Sequence, residues 1–102
     1  MLYALHPEAV EDLDEILEYI GSFNPSAADR LLNEFFETFD LLASMPNLGF
    51  RRPELTSRPL RFKVMRNYLI GYAPEQTPVW IVAVIDGRRN PRVITAILRR
   101  RE

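Results

Sequence analysis

The sequence predicts an α+β fold that forms one domain over residues 1–102. We expect an N-terminal strand, an antiparallel helical hairpin packed on a three- to four-stranded antiparallel sheet, and a short C-terminal helix. Between residues 7 and 45, apolar residues recur at steps of three and four, which is the helical period. Between residues 60 and 85 they alternate with polar residues or run continuously, as they do in strands.

The first part of the chain predicts a short strand and two helices. Residues 2–5 are an apolar run that fits a strand. A helix begins after it, because proline suits the first helical position and Glu8 favours the positive end of the helix dipole. Gly21 ends this helix, and Asn24 caps the next one. That second helix stops at Pro46.

After a predicted loop over residues 47–59, the remaining elements are strands and a last helix. Residues 60–64 and 68–73 predict two strands, and residues 79–85 predict a third that is apolar on both faces and therefore central. Residues 93–98 predict the final helix. The side chains expected to be buried are Leu13, Leu17, Leu31, Phe35, Phe62 and Val82.

The two halves of the chain carry opposite charge. Residues 1–50 contain ten acids against one base, a net charge of −9, and residues 51–102 contain twelve bases against four acids, a net charge of +8. All the bases of the second half except Lys63 are arginines, which suit phosphates, carboxylates or a partner chain. The acidic half disfavours wrapping by nucleic acid, so we expect nucleic-acid contact only indirectly, through a larger complex.

Composition narrows the functional classes. The chain has no cysteine, which excludes disulfides and thiolate metal sites, and its single histidine, His6, has no second metal ligand at a suitable spacing. No apolar run approaches the roughly 18 residues of a membrane span. We therefore expect a cytoplasmic protein that uses no metal, cofactor or membrane, and we assign no catalytic residue.

Two pairs of cations are the candidate contact residues for a target or partner. Arg61 and Lys63 lie two apart on a strand and share one face, which leaves Val64 and its apolar neighbours on the core side. Arg88 and Arg89 follow the predicted central strand, and loops at strand ends often carry function. An ordinary solvated surface is the alternative interpretation of both pairs.

The other arginines have structural interpretations. Arg51 and Arg52 lie in the long loop, and we expect them to bind acids of the helical hairpin and so anchor that loop. Arg99, Arg100 and Arg101 lie at a predicted helix end, where cations interact favourably with the helix dipole.

The chain as a whole resembles the RelE/ParE toxin superfamily, and is closer to its ParE-like branch. Five segments carry the resemblance through their order and spacing: residues 6–16, 24–31, 45–55, 67–72 and 82–89. The resemblance implies a toxin of a bacterial type II toxin–antitoxin pair, of the kind linked to plasmid stabilisation. It also implies a cognate antitoxin that wraps and neutralises the toxin and, for ParE-like members, DNA gyrase as the target.

Two positions depart from that pattern. His6 stands where serine is frequent, and Asp86 stands where histidine is frequent before the Gly-Arg-Arg of the last loop. Asp86 therefore places a negative charge beside Arg88 and Arg89.

Three functions remain open at this point: gyrase inhibition by binding, ribosome-dependent mRNA cleavage of the RelE kind, and a degenerate regulator that only binds its partner. Cleavage of RNA needs groups that move protons, and arginine is a poor base because it does not deprotonate. The chain has no tyrosine or histidine after Tyr72. We therefore expect a binding mechanism without catalysis, with the RNase as the first alternative.

Overall fold

The computed structural model describes residues 3–101, which form four strands and three helices. In chain order they are β1 (Tyr3–Leu5), α1 (Pro7–Gly21), α2 (Pro25–Ser44), β2 (Arg61–Met65), β3 (Tyr68–Ala73), β4 (Val79–Asp86) and α3 (Pro91–Arg100). The predicted fold class and element order are confirmed. Leu2, where the predicted first strand began, lies outside the described residues. No described helix is long and apolar enough to cross a membrane.

The sheet has four strands in the order β1-β4-β3-β2. The strands β2, β3 and β4 pair in antiparallel fashion, as predicted. In contrast, β1 pairs in parallel with β4, which makes the sheet mixed. This arrangement places β4 inside the sheet and leaves β1 and β2 at its two edges.

Each helix begins with the same local device, a capping side chain followed by proline. His6 Nδ1 accepts a hydrogen bond from the Glu8 amide at 3.0 Å at the start of α1. Asn24 Oδ1 accepts one from Ala27 at 3.1 Å at the start of α2, and Asn90 begins α3 in the same way. Such caps satisfy amides that have no partner within the helix.

The sheet separates two apolar layers. The hairpin of α1 and α2 covers one face, where Phe35, Phe39 and Ile81 are fully buried. The helix α3 and the loop before β2 cover the other face, where Val82 and Leu98 lie. Both faces of β4 are thus covered, as its apolar sequence predicts.

The predicted core is largely confirmed. Leu13, Leu31, Phe35, Phe62 and Val82 are buried, whereas Leu17 is half-buried against the hairpin layer.

The prediction that Val64 faces the core is wrong. Its side chain is 60% exposed. It lies on the edge strand β2, two strands away from β4, on which α3 packs. The core layer ends before it reaches this position.

Candidate functional site

The loop after β4 is organised by its own first residue. Asp86 accepts hydrogen bonds from the Arg88 guanidinium at 3.0 and 2.8 Å and from the Arg88 amide at 2.9 Å. The Gly87 amide donates to the Asn67 carbonyl at 2.8 Å, which ties this loop to the turn between β2 and β3. Arg89 makes no ion pair with the residues that the structure describes. Arg88 is therefore ion-paired, whereas Arg89 has no acidic partner among the described residues.

The ion pair changes the acidity of Asp86. The Arg88 side chain, followed by the Arg88 amide, lowers the pKa of this exposed carboxyl from 3.8 to about 2. Asp86 is therefore ionised throughout the physiological range and keeps Arg88 oriented there.

We expect Arg88→Ala to raise the pKa of Asp86 towards 3.8. Because the folded-state pKa is depressed, the pair stabilises the fold above pH 3.8, and this contribution is lost as the pH falls to about 2. The stability difference between the wild type and Arg88→Ala should shrink over that window, and it should be small because both groups are exposed. NMR titration of the carboxyl carbon measures the pKa directly. An Asp86 pKa that is the same in both proteins would contradict this account.

Two further arginines lie close to this loop in the folded chain. Arg88 and Arg89 line a cleft of about 270 Å³ together with Arg52 and Arg66. Arg66 forms a two-pronged pair with Glu34 of α2 at 2.7 and 2.6 Å. We call the cleft that these four arginines line the arginine cleft. Sequence reasoning did not place Arg52 and Arg66 there, because only the tertiary fold brings these residues to the loop after β4.

The other candidate pair does not belong to this cleft. Phe62 packs in the α3 layer, so its neighbours Arg61 and Lys63 point to the opposite face of the sheet. Arg61 donates to the Gly49 carbonyl at 2.7 Å and to the Asn47 carbonyl at 3.4 Å. Lys63 makes no hydrogen bond or ion pair within residues 3–101. The sequence-predicted cations thus form two separate surfaces.

Arg61 and Tyr72 hold the loop before β2. Besides the bonds from Arg61, the Tyr72 hydroxyl donates to the Pro46 carbonyl at 2.7 Å and accepts from the Gly49 amide at 2.8 Å. A Cβ at Gly49 would lie 2.7 Å from both the Phe62 carbonyl oxygen and that hydroxyl, so the close approach requires glycine.

The contacts of Arg51 and Arg52 differ from the expected ones with acids of the helical hairpin. The Arg52 side chain bonds Glu54 of the same loop at 2.6 Å, rather than an acid of the hairpin, and Arg51 is exposed. A loop-anchoring role for these two arginines stays a prediction.

Sequence reasoning missed a buried ion pair. Arg101 is only 8% exposed and donates to both Asp12 carboxylate oxygens, at 2.5 and 2.8 Å. The Val84 amide donates to the same carboxylate at 2.9 Å. A signal was present, because Asp12 lies three residues after Ala9 and four before Ile16, on the apolar stripe of α1.

Within the described residues, no group of three or more His, Cys, Asp or Glu side chains is placed to hold a metal ion.

Comparison with known families identifies the chain. The family described as the ParE toxin of the type II toxin–antitoxin system, parDE, matches residues 3–91. The chain belongs to the ParE toxin family. This ParE-family protein is therefore the toxin of a type II toxin–antitoxin system, and family membership implies a cognate antitoxin as its partner. The resemblance drawn from the sequence is confirmed. No curated protein matches the chain.

The family match covers the loop that carries Arg88 and Arg89 but ends at the first residue of α3. The three arginines further along that helix, Arg92, Arg99 and Arg100, lie outside the match.

Proposed function

We propose that this ParE-family toxin inhibits DNA gyrase by binding it, without cleaving a bond itself. The observation that supports this best is the arginine cleft, which presents Arg89 at the end of the central strand with no ion-pair partner among residues 3–101. A guanidinium offers a planar fork of donors that suits the carboxylates of an acidic protein surface. The loop is held by Asp86 and by Asn67, so Arg89 is presented from a fixed backbone.

The groups around the cleft argue against the RNase alternative. The pKa of Asp86 is about 2. Burial and the neighbouring Asp86 carboxylate raise the pKa of Tyr68 above its ordinary value. His6, the only histidine of the chain, is buried at the start of α1 beside Trp80. Among the described residues that line the cleft, none exchanges a proton readily near neutral pH, as a general base must.

We expect Arg89→Ala to weaken inhibition of gyrase supercoiling at least about tenfold, because a hydrogen bond to a charged group contributes roughly 1.5–3 kcal/mol. Arg88→Ala should have a smaller effect, since Arg88 already uses its donors on Asp86. Arg89→Lys should recover little if the contact is two-pronged. The control is Arg30→Ala on the exposed surface of α2. Equal inhibition by Arg89→Ala and Arg30→Ala would contradict the role of Arg89.

We further propose that the antitoxin uses the Arg61 and Lys63 face, with acidic residues near Lys63 and an apolar helix against the hairpin. This face is separate from the arginine cleft. The hairpin exposes apolar surface for such a helix, including Phe36 at 39% and Leu41 at 41%.

The two cations of this face should respond differently to charge reversal. We expect Lys63→Glu to weaken the antitoxin complex with little change in thermal stability, because Lys63 makes no bond within the described residues. Arg61→Glu should weaken the complex and also lower the thermal stability, because it removes the bond to Gly49. Isothermal titration and thermal melts measure the two effects. Unchanged antitoxin affinity for both variants would remove the electrostatic part of this proposal.

A further inference from the structure

The charge separation along the chain is also a separation in space. The hairpin over residues 7–44 carries ten acids and one base and covers one face of the sheet. The other face is covered by residues 51–60 and by α3. When the loop before α3 and Arg101 are included, the segments on this side are residues 51–60 and 86–101. These two segments hold nine arginines and two acids, a net charge of +7. The overall charge of −1 therefore conceals a strongly basic side.

Two depressions on the basic side meet at the start of α3. The arginine cleft is the first, and the second is a groove of about 540 Å³ along α3. Pro91 borders both of them. We call the combined feature the arginine track, and the seven arginines that line it are Arg52, Arg66, Arg88, Arg89, Arg92, Arg99 and Arg100.

Much of the positive charge on this track is uncompensated. Arg89, Arg92, Arg99 and Arg100 are exposed and make no ion pair within residues 3–101. Glu54 is the acid that borders the α3 groove, and it already accepts a bond from Arg52. A ligand that approaches this groove therefore meets three arginines whose charge no described acid neutralises, and Arg89 adds a fourth in the arginine cleft.

The shape of the track fits an extended polyanion. Arg92 and Arg99 lie seven residues apart on α3, which is about 10.5 Å along the helix axis. Measured along the duplex axis, where each strand carries one phosphate per roughly 3.4 Å, that distance corresponds to about three base-pair steps. The small side chains of Thr95 and Ala96 lie between them in the groove and leave room for a backbone to approach.

We propose that the arginine track binds the phosphate backbone of duplex DNA directly. Along the α3 groove an acidic protein partner fits less well than DNA, because protein interfaces concentrate their binding energy in buried aromatic anchors. No aromatic residue is among those that line the α3 groove in the described part of the chain. Tyr68 borders the arginine cleft but is half-buried, and the most exposed aromatic side chains, Tyr19, Phe23 and Phe50, do not line the track. Because none of the described residues that line the track is a fully exposed aromatic, a duplex is also favoured over a single strand.

This inference replaces the expectation that nucleic acid is contacted only indirectly, and it does not depend on gyrase being the target. That expectation rested on the acids of residues 1–50. The helices that carry those acids cover the opposite face of the sheet, and the molecule is 21 Å across even in its shortest dimension. Among the described residues, Glu34 reaches Arg66, and Glu8 and Asp12 reach Arg101; the other acids of the hairpin pair with no arginine of the basic side. The screening length at physiological salt is about 8 Å, so the distant acids oppose a phosphate at the track only weakly.

The test is fluorescence anisotropy of a labelled mixed-sequence duplex titrated with the full chain at several salt concentrations. If four arginines each neutralise a phosphate, the logarithm of the binding constant should fall against the logarithm of salt concentration with a slope of about −3.6. Arg92→Glu and Arg99→Glu should each reduce that slope by about one. The matched control, Arg30→Glu, makes the same charge change on α2 and should leave the slope unchanged.

Several outcomes would overturn the proposal. These are the absence of salt-dependent binding, an equal loss of slope in Arg30→Glu, and tighter binding of a single strand than of the duplex. Polyglutamate is a competing anion in this assay; if it displaced the labelled duplex as effectively as unlabelled duplex does, the track would bind anions in general and not DNA in particular. Circular dichroism establishes that each variant is folded, and Arg92→Gln and Arg99→Gln replace any glutamate variant that is not.

Discussion

Replacing Asp12 with alanine is expected to lower the free energy of unfolding by about 3–5 kcal/mol, because the change leaves a buried charge without its partner. Arg101 is 8% exposed and directs two guanidinium nitrogens at Asp12. The Val84 amide of β4 would lose its acceptor as well. This one carboxylate therefore joins α1, the central strand and the end of α3.

Urea denaturation of the full chain measures this effect. The matched control is Asp14→Ala, an exposed position two residues further along the same helix, which should change stability by no more than about 0.5 kcal/mol. The double variant Asp12→Ala with Arg101→Met should recover part of the loss, because the uncompensated charge is then gone. Equal stability of Asp12→Ala and Asp14→Ala would contradict a structural role for the pair.

The second large effect is expected at Phe35, where substitution by alanine should cost about 3–5 kcal/mol. The ring is fully buried and lies 6.1 Å from the Phe39 ring and 5.4 Å from the Tyr68 ring, between centroids. It thus connects α2 to the first residue of β3. Its removal would leave a cavity in the layer between the hairpin and the sheet.

Phe36 supplies the control for this prediction. It is the same residue type, one position along the same helix, and it is 39% exposed. Phe36→Ala should cost much less, because it removes less buried surface and leaves no enclosed cavity. Chemical denaturation compares the two variants. A loss at Phe36 as large as that at Phe35 would contradict the burial of Phe35 as the source of the effect.

The elements of this fold could be predicted because they depend on local signals. The Asn-Pro pairs at residues 24–25 and 90–91 cap the helices that follow them, and the change from helical period to alternation marks the start of the sheet. The pairing of Asp86 with Arg88 is local too, since the two residues are two positions apart.

The arrangement of the site could not be predicted in the same way. Arg66 and Arg52 reach the arginine cleft only through tertiary packing, and Arg61 finds its carbonyl partners across a loop that has no sequence period. Val64 follows the alternation of its strand, but no core layer extends over it. Alternation gives the face of the sheet to which a side chain points, and the positions of the helices decide whether that face is covered.

The spatial separation of charge is the other feature that needed the structure. A sequence with ten acids in its first half and twelve bases in its second is compatible with salt bridges between the halves. Within residues 3–101 there are three such ion pairs, Arg66 with Glu34 and Arg101 with both Glu8 and Asp12. Other arginines, including Arg89 and Arg92, remain on the opposite side of the sheet from the acidic helices and make no ion pair with the described residues.

The most direct test of the account is a side-by-side assay of the purified toxin on gyrase and on ribosomes. One reaction follows the accumulation of gyrase–DNA cleavage complexes and the loss of supercoiling, and the other follows the cutting of mRNA in the ribosomal A site. We expect the toxin to inhibit gyrase and to leave mRNA intact; antitoxin should reverse the inhibition, and Arg89→Ala should weaken it. Clear cleavage of mRNA on the ribosome with gyrase activity unchanged would contradict this expectation.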